Sequence, residues 1–302
     1  MFTLRDSADG TAGPPQTRAY PSGPPGRGRP EPNLRRHERM GRFRKVSYRE
    51  NSTFRMLAAN TWKPPNDPQI FAVTELEMSR VLAFIETCRR EEGIKVTPTH
   101  IIIKAAGILL ARHPRINAKC EGGNIYQRDS VDASVLVDIG GAKDIGQVML
   151  RGIDTMPLRE IVEKTCRIAG ELKEGRDGKF GRSRRIFNKL PPFLLRRYFD
   201  AANLLINKLN LNLERFGVPR DPFGSVLITS VGMLGVEECF APIPTLSRIS
   251  VALLVTAIKD RPWVEDGRIV VRPIMKLCVT LDHRIADGFE SAAMLNELKE
   301  II

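Results

Sequence analysis

Long apolar runs, paired cysteines and histidines are all scarce in this sequence, and each scarcity narrows what the chain does. No stretch of eighteen consecutive apolar residues occurs, so no membrane-spanning helix is expected. The N-terminus lacks the apolar core of a signal peptide, so secretion is not expected. Five cysteines (Cys88, Cys120, Cys166, Cys239 and Cys278) form no CxxC pair. Scattered thiols suit a reducing cytoplasm better than a disulfide framework or a zinc site. Four histidines are present, His37, His100, His113 and His283, and no cluster has metal-ligand spacing. Aromatic residues make up 6% of the chain and no nucleic-acid-binding motif occurs, so specific nucleic-acid binding is not expected.

Charge is plentiful and unevenly placed. The 302 residues are 42% hydrophobic and 27% charged, an ordinary globular mix that excludes a wholly disordered chain and a coiled coil. The length allows two domains or one large one. Of the net charge of +12, residues 1–50 contribute 11 Lys/Arg against 5 Asp/Glu. Residues 173–220 contribute 12 against 4, which leaves the rest close to neutral. Such basic segments suit a polyanionic surface, either a membrane or an acidic partner.

Residues 1–45 read as a disordered basic tail rich in Pro, Gly and Arg, too poor in apolar surface to offset the entropy of ordering. Translation starts at either Met1 or Met40. A globular pattern follows over 46–302. Gln69 to Glu77 alternates like a strand. Met78 to Glu92 has helical spacing, and Thr97-Pro98 is a capped start for a helix that stops before Pro114. Strand runs flank Gly122-Gly123, and Met156 to Lys173 is amphipathic, with Asp154 as its expected cap. Further strands are read at 225–230, 248–258 and 274–281, with Glu265-Asp266-Gly267-Arg268 as a hairpin turn inside 263–271. A closing helix starts at Phe289. Intermixed strands and helices predict an α/β fold, a two-layer sandwich with one mixed sheet covered by helices.

At about 175–222 the pattern breaks. The segment is basic, then apolar, with Leu195, Phe199, Ala202, Ile206, Leu209 and Leu213 at helical spacing. A helix packed on its own domain or on a neighbouring subunit is the plain reading. Contact with a membrane surface through 183–216 is the alternative, so the localisation expected is cytoplasmic, with membrane association through that segment left open.

The chemistry concentrates in Asp282-His283-Arg284-Ile285-Ala286-Asp287-Gly288, between a strand and a helix. A strand-end histidine has a fixed backbone and can aim its ring into a cleft. Asp287 opens the helix, with Gly288 expected to permit a tight turn. Asp282 and Arg284 are adjacent charges placed to form supporting ion pairs.

LDHRIADG resembles the DHRxxxDG signature of the 2-oxo acid dehydrogenase acyltransferases, the dihydrolipoamide acyltransferase catalytic domain, whose fold is chloramphenicol acetyltransferase-like. Other matches follow in order. THIIIKAAGILLARHPRIN resembles the family's helix with its His-Pro-x-x-Asn ending. LITSVGMLGVEECFAPI resembles its TISNLGxxG strand and loop. The segment from Arg261-Pro262 to Arg272 resembles the paired strands before the histidine. Together they span 50–302, interrupted at 175–222.

The resemblance implies that His283 is the general base toward the thiol of coenzyme A or dihydrolipoamide. A neutral imidazole suits this at neutral pH, its ordinary pKa being about 6.5. It implies that the hydroxyl of Thr229, where the family has serine, meets the oxyanion, with Ser230 beside it. Asp287 has an orienting role. It also implies a homotrimer with active sites between subunits. Acyl-CoA is the implied substrate, with a lipoyl group supplied in trans by a carrier protein as a second source, because the tail cannot form a lipoyl domain. No metal is implied. The sequence departs from the family where a DTPxGLxxPV-like segment is usual, since Asp138 to Val148 lacks the proline and the Gly-Leu pair. Three readings stand: an acyltransferase using acyl-CoA and a separate acceptor, an acyltransferase served by a lipoyl carrier, and a noncatalytic scaffold or binding module retaining the fold.

Overall fold

The alternating residues of QIFAVTELE form strand β1 (Gln69–Glu77), which turns directly into helix α1 (Ser79–Glu92). The computed structural model describes residues 68–121, 124–139, 145–176, 221–244 and 247–302, with isolated positions between 191 and 205. These lie in one compact unit, Pro65–Ile302. The basic tail, the two candidate start sites and nearly all of the 183–216 segment fall outside the described residues.

Helix α2 (Pro98–Arg112) starts as its sequence predicts. The Thr97 hydroxyl accepts from the His100 backbone N–H, and His100 Nδ1 accepts from the Thr97 N–H at 3.1 Å. Proline at the first helical position needs no N–H partner there. A short hairpin follows, β2 (Ala118–Glu121) with β3 (Asn124–Gln127), then β4 (Ala133–Asp138) and β5 (Ile145–Leu150). Helix α3 (Leu158–Lys173) starts later than expected, with Pro157 at its N-cap. Asp154 does not cap it. Its carbonyl accepts instead from Lys104 Nζ at 2.8 Å, which ties the loop before α3 to α2.

Strand β6 (Val226–Ser230) leads into two long strands, β7 (Val251–Glu265) and β8 (Arg268–Asp282), and α4 (Gly288–Ile301) closes the chain. The separate strands read from the sequence at 248–258, 263–271 and 274–281 are therefore one continuous hairpin. Its turn is type I′, with Asp266 at φ 50° and Gly267 at φ 73°. Pro262 and Pro273 sit inside these strands beyond the ends of their outer neighbours: β6 pairs with β7 only as far as Val255, and β1 pairs with β8 only as far as Ile274. A missing N–H there breaks no ladder with those neighbours, and the Pro273 carbonyl still accepts from Met78 N at 2.9 Å.

The six strands form one mixed sheet in the order β1-β8-β7-β6-β4-β5. β6 is parallel to both β4 and β7, and the remaining neighbours are antiparallel. Helices cover one face. Ile102, Leu109, Ile161, Met294 and Leu298 share one core with Val226, Ile228, Val251, Leu253, Val255 and Leu277. A smaller cluster of Leu227, Ile249 and Ala252 lies on the opposite face under Ala241 and Ile243. The two-layer α/β sandwich with a mixed sheet is thus the architecture observed.

His100 is 5% exposed, and burial lowers its pKa from 6.5 to about 4. The native ring stays neutral while the unfolded chain takes up a proton below about pH 6.5, so stability falls as pH drops toward 4. The difference amounts to about 3 kcal/mol across that window. His100→Gln keeps a reciprocal cap but cannot titrate. Urea unfolding at pH 7 and pH 4.5 is expected to show a smaller acid loss in His100→Gln than in the wild type.

Candidate active site

The DHRIADG segment forms a short turn between β8 and α4, fastened almost entirely by backbone groups. Asp282 N donates to the Ser250 carbonyl at 2.9 Å, and His283 N donates to the Pro68 carbonyl at 2.8 Å. The Asp282 carbonyl then accepts from Ile285 N at 2.9 Å and Ala286 N at 3.1 Å. This winding brings the Ala286 carbonyl to 3.0 Å from His283 Nδ1. A carbonyl can only accept, so Nδ1 carries the proton and Nε2 keeps its lone pair. The His283 residue is exposed.

Asp282 is 5% exposed, and a buried carboxylate needs its charge matched. Arg284 matches it on both oxygens, with Nε at 2.9 Å from Oδ1 and Nη2 at 2.5 Å from Oδ2. The Arg284 backbone N–H adds a third bond to Oδ1 at 3.0 Å. Asp287 is the N-cap of α4, its carboxylate accepting from Glu290 N at 2.9 Å. Its carbonyl accepts from Ser291 Oγ at 2.6 Å. Asp287 therefore braces the helix that follows the histidine loop. Gly288 does not make the tight turn expected of it. It has no positive φ, and a Cβ there would meet nothing within 4 Å, so the turn conformation needs no glycine.

Thr229 and Ser230 end strand β6, Thr229 half-buried and Ser230 exposed. Register pairs Thr229 with Leu254, Leu254 with Cys278, and Cys278 with Val73, so these four side chains form one row on the face away from the helices. A strap after β6 crosses that face. It opens with the 3-10 turn Gly232–Leu234, where a Cβ on Gly232 would lie 2.6 Å from the Thr256 carbonyl. Only glycine allows so close an approach. The strap continues through Val236, whose carbonyl accepts from Ala257 N at 2.8 Å, and Phe240, packed edge-on against Phe71 with centroids 5.1 Å apart. It ends with Ile243 N donating to Gln69 Oε1 at 2.7 Å. Burial raises the pKa of the Cys278 thiol in this row, which argues against a thiolate nucleophile there.

His283 and Thr229 do not meet within one chain. Cys278 lies level with Thr229, two strands away, and His283 is five residues further along β8. At about 3.3 Å per residue along a strand and about 4.8 Å between strands, they stand about 20 Å apart. Exposed apolar side chains flank both. Met233 and Leu234 follow β6 at 101% and 76% exposure, and Phe289 follows the histidine loop at 83%.

The other described histidines have structural partners. His100 caps α2, and His113 Nε2 lies 2.7 Å from Glu297 Oε2, joining α2 to α4. Arg112 and then His113 hold the Glu297 carboxyl below its usual pKa. Among the described residues no three His, Cys, Asp or Glu side chains converge on a point able to hold a metal ion. Among the described residues, no helix is long and apolar enough to cross a membrane. Sequence reasoning missed the groups that fasten the loop, the carbonyls of Pro68, Ser250 and Ala286. Backbone carbonyls leave no mark in a sequence. Ile285, which packs on Ala118 and Cys120 of the β2–β3 hairpin, left only an apolar letter inside the motif.

Comparison with known proteins places the chain in a family. The family model for 2-oxoacid dehydrogenases acyltransferase (catalytic domain) matches residues 47–179 and 223–302. The dihydrolipoyllysine-residue succinyltransferase component of the 2-oxoglutarate dehydrogenase complex from Cupriavidus necator is 31% identical over 214 residues, 70% of this chain and 41% of that protein. Its Escherichia coli K12 counterpart is 26% identical over 221 residues, 72% of this chain and 43% of that protein. The chain thus spans less than half the length of these curated relatives. In fold it is similar to a probable dihydrolipoamide acetyltransferase from Listeria monocytogenes, with a TM-score of 0.58 and 19% identity over 78% of this chain and 84% of that one. With its family match running from before β1 to the end of α4 and including the histidine turn, the chain belongs to the 2-oxoacid dehydrogenase acyltransferase catalytic-domain family.

Proposed function

We propose that this protein transfers an acyl group between thiols, with His283 of one protomer and Thr229 of another forming each active site. The observation that carries this reading is the hydrogen bond from His283 Nδ1 to the Ala286 carbonyl, which leaves Nε2 as the basic nitrogen in an exposed ring. Nε2 removes the proton from an incoming thiol. The sulfur attacks the carbonyl carbon of a bound thioester, a new C–S bond forms, and the carbonyl oxygen takes the negative charge. The Thr229 hydroxyl donates to that oxyanion. The tetrahedral species collapses, the old C–S bond breaks, and the departing sulfur takes the proton from His283. No external oxidant or reductant enters.

The separation of about 20 Å between His283 and Thr229, estimated from strand spacings, supports a shared site. One end of the sheet offers the base and the other end offers the hydroxyl. Such a head-to-tail contact closes into a ring when its rotation does, and a homotrimer is the assembly proposed. The exposed apolar side chains of Met233, Leu234 and Phe289 suit a subunit boundary at these two ends.

Acyl-CoA is the proposed donor or product thioester, with a dihydrolipoyl group on a separate carrier chain as its exchange partner. Support comes from the relatives, which are named as dihydrolipoyllysine-residue succinyltransferases and acetyltransferases of dehydrogenase complexes. Asp287 braces the loop through its cap on α4, and Asp282 with Arg284 holds the turn beneath the ring.

Thiol release from acetyl-CoA and succinyl-CoA, with dihydrolipoamide as acceptor, tests the reading. His283→Ala is expected to lower kcat by about 10²–10⁴ while leaving the thermal unfolding midpoint close to that of the wild type. Turnover that is unchanged in folded His283→Ala contradicts the proposed base. Wild-type protein that transfers neither acyl group, with or without a lipoyl carrier, supports the scaffold reading instead.

A further inference from the structure

Arg128 lies outside the histidine motif, one residue past β3, and its side chain is 8% exposed. Its guanidinium nonetheless reaches three separate segments. Nε donates to Asp221 Oδ2 at 2.6 Å, Nη1 donates to the Ala118 carbonyl, and Nη2 donates to the Arg248 carbonyl at 3.0 Å.

Each partner leads to one part of the candidate site. Ala118 packs with Cys120 on Ile285, two residues past His283. Arg248 stands two residues before Ser250, whose carbonyl holds Asp282 N at the base of the histidine turn. Arg248 also has φ 52°, a left-handed conformation unusual for a side-chain-bearing residue, so its carbonyl is aimed by a backbone that needs support. Asp221 begins the stretch that runs into β6 and so to Thr229. That stretch is fastened further by Arg151 Nη2 on the Asp221 carbonyl at 3.2 Å, Gln147 Nε2 on the Pro222 carbonyl at 2.7 Å and Ser134 Oγ on the Phe223 carbonyl at 2.7 Å.

We propose that Arg128 is a positioning residue for acyl transfer, an inference that rests on the acyltransferase reading above. Its planar fork holds the support of His283 and the lead-in to Thr229 in one fixed relation. Lysine in its place keeps the charge but ends in a single nitrogen, which cannot serve three diverging acceptors with the same geometry. Transfer then slows because the groups are misplaced, and substrate binding is left largely as it was. A misplacement of about 1 Å costs on the order of a hundredfold in rate.

The test uses the full chain as Arg128→Lys and Asp221→Asn, assayed with acetyl-CoA and dihydrolipoamide. Imidazole ¹⁵N spectra of histidine-labelled protein follow the His283 Nδ1 proton. Arg128→Lys is expected to lower kcat by about ten- to a hundredfold with KM within about twofold, and to weaken the Nδ1–H signature of His283. Asp221→Asn, which keeps its shape and sits nearer the surface, is expected to change both in the same direction by less. If Arg128→Lys does not fold, Asp221→Asn decides alone. A folded variant with unchanged kcat and an unchanged His283 spectrum overturns the proposal. Should the wild type transfer no acyl group, the acyltransferase reading fails, and the His283 spectrum of the variants still decides whether Arg128 positions that ring.

Discussion

A backbone carbonyl accepts hydrogen bonds and never donates them. Applied by Ala286 to His283 Nδ1 at 3.0 Å, that constraint places the proton of the neutral ring on Nδ1 and leaves Nε2 without one. The surrounding contacts serve the same carbonyl. Asp282 turns the chain by accepting the amides of Ile285 and Ala286, and its buried carboxylate is matched by the fork of Arg284. Ser250 and Pro68 anchor the turn to β7 and to the start of β1. The long hairpin of β7 and β8 supplies the rigid base from which this turn projects.

Sheet geometry imposes a second constraint. Thr229 and His283 belong to strands whose ends point apart, because β8 runs antiparallel to β7 while β6 runs parallel to it. No side-chain rotation spans about 20 Å, since a side chain reaches only a few ångströms from its backbone. Either the two residues serve different purposes, or one chain completes what another begins. The fully exposed Met233 beside one end and the exposed Phe289 beside the other favour the second alternative. In the homotrimer proposed above these two ends meet, which would take both apolar groups out of water.

Local signals made much of the fold legible. The alternation of QIFAVTELE, the Thr97-Pro98 start of α2 and the Glu265 to Arg268 turn each carry their cause within a few residues, and each forms as read. The histidine turn was legible as a strand-to-helix junction for the same reason. What failed depended on distant neighbours. Pro262 and Pro273 read as strand breaks because a sequence does not reveal that β6 stops short of the one and β1 of the other. Strand β5 went unread because Gly146 and Gln147 weaken its pattern, although a Cβ on Gly146 would lie 2.9 Å from Ile139 Cγ2. Asp154 looked like a cap but stands too far from α3 to act as one. The spacing between His283 and Thr229 comes entirely from strand register, and Arg128 matters only through partners that lie 10, 93 and 120 residues away.

The shared site is the central claim, and mixed assembly tests it most directly. Chains carrying His283→Ala and chains carrying Thr229→Ala are produced together in equal amounts, and acyl transfer is compared with each variant alone. If each site takes its base from one protomer and its hydroxyl from the next, random assortment rebuilds about one intact site in four, and activity returns to about a quarter of the wild-type level. If the two residues act within one chain every site carries one defect, and if they do not act together the mixture only averages the two variants. Activity no higher than the mean of the two separate variants would contradict the account.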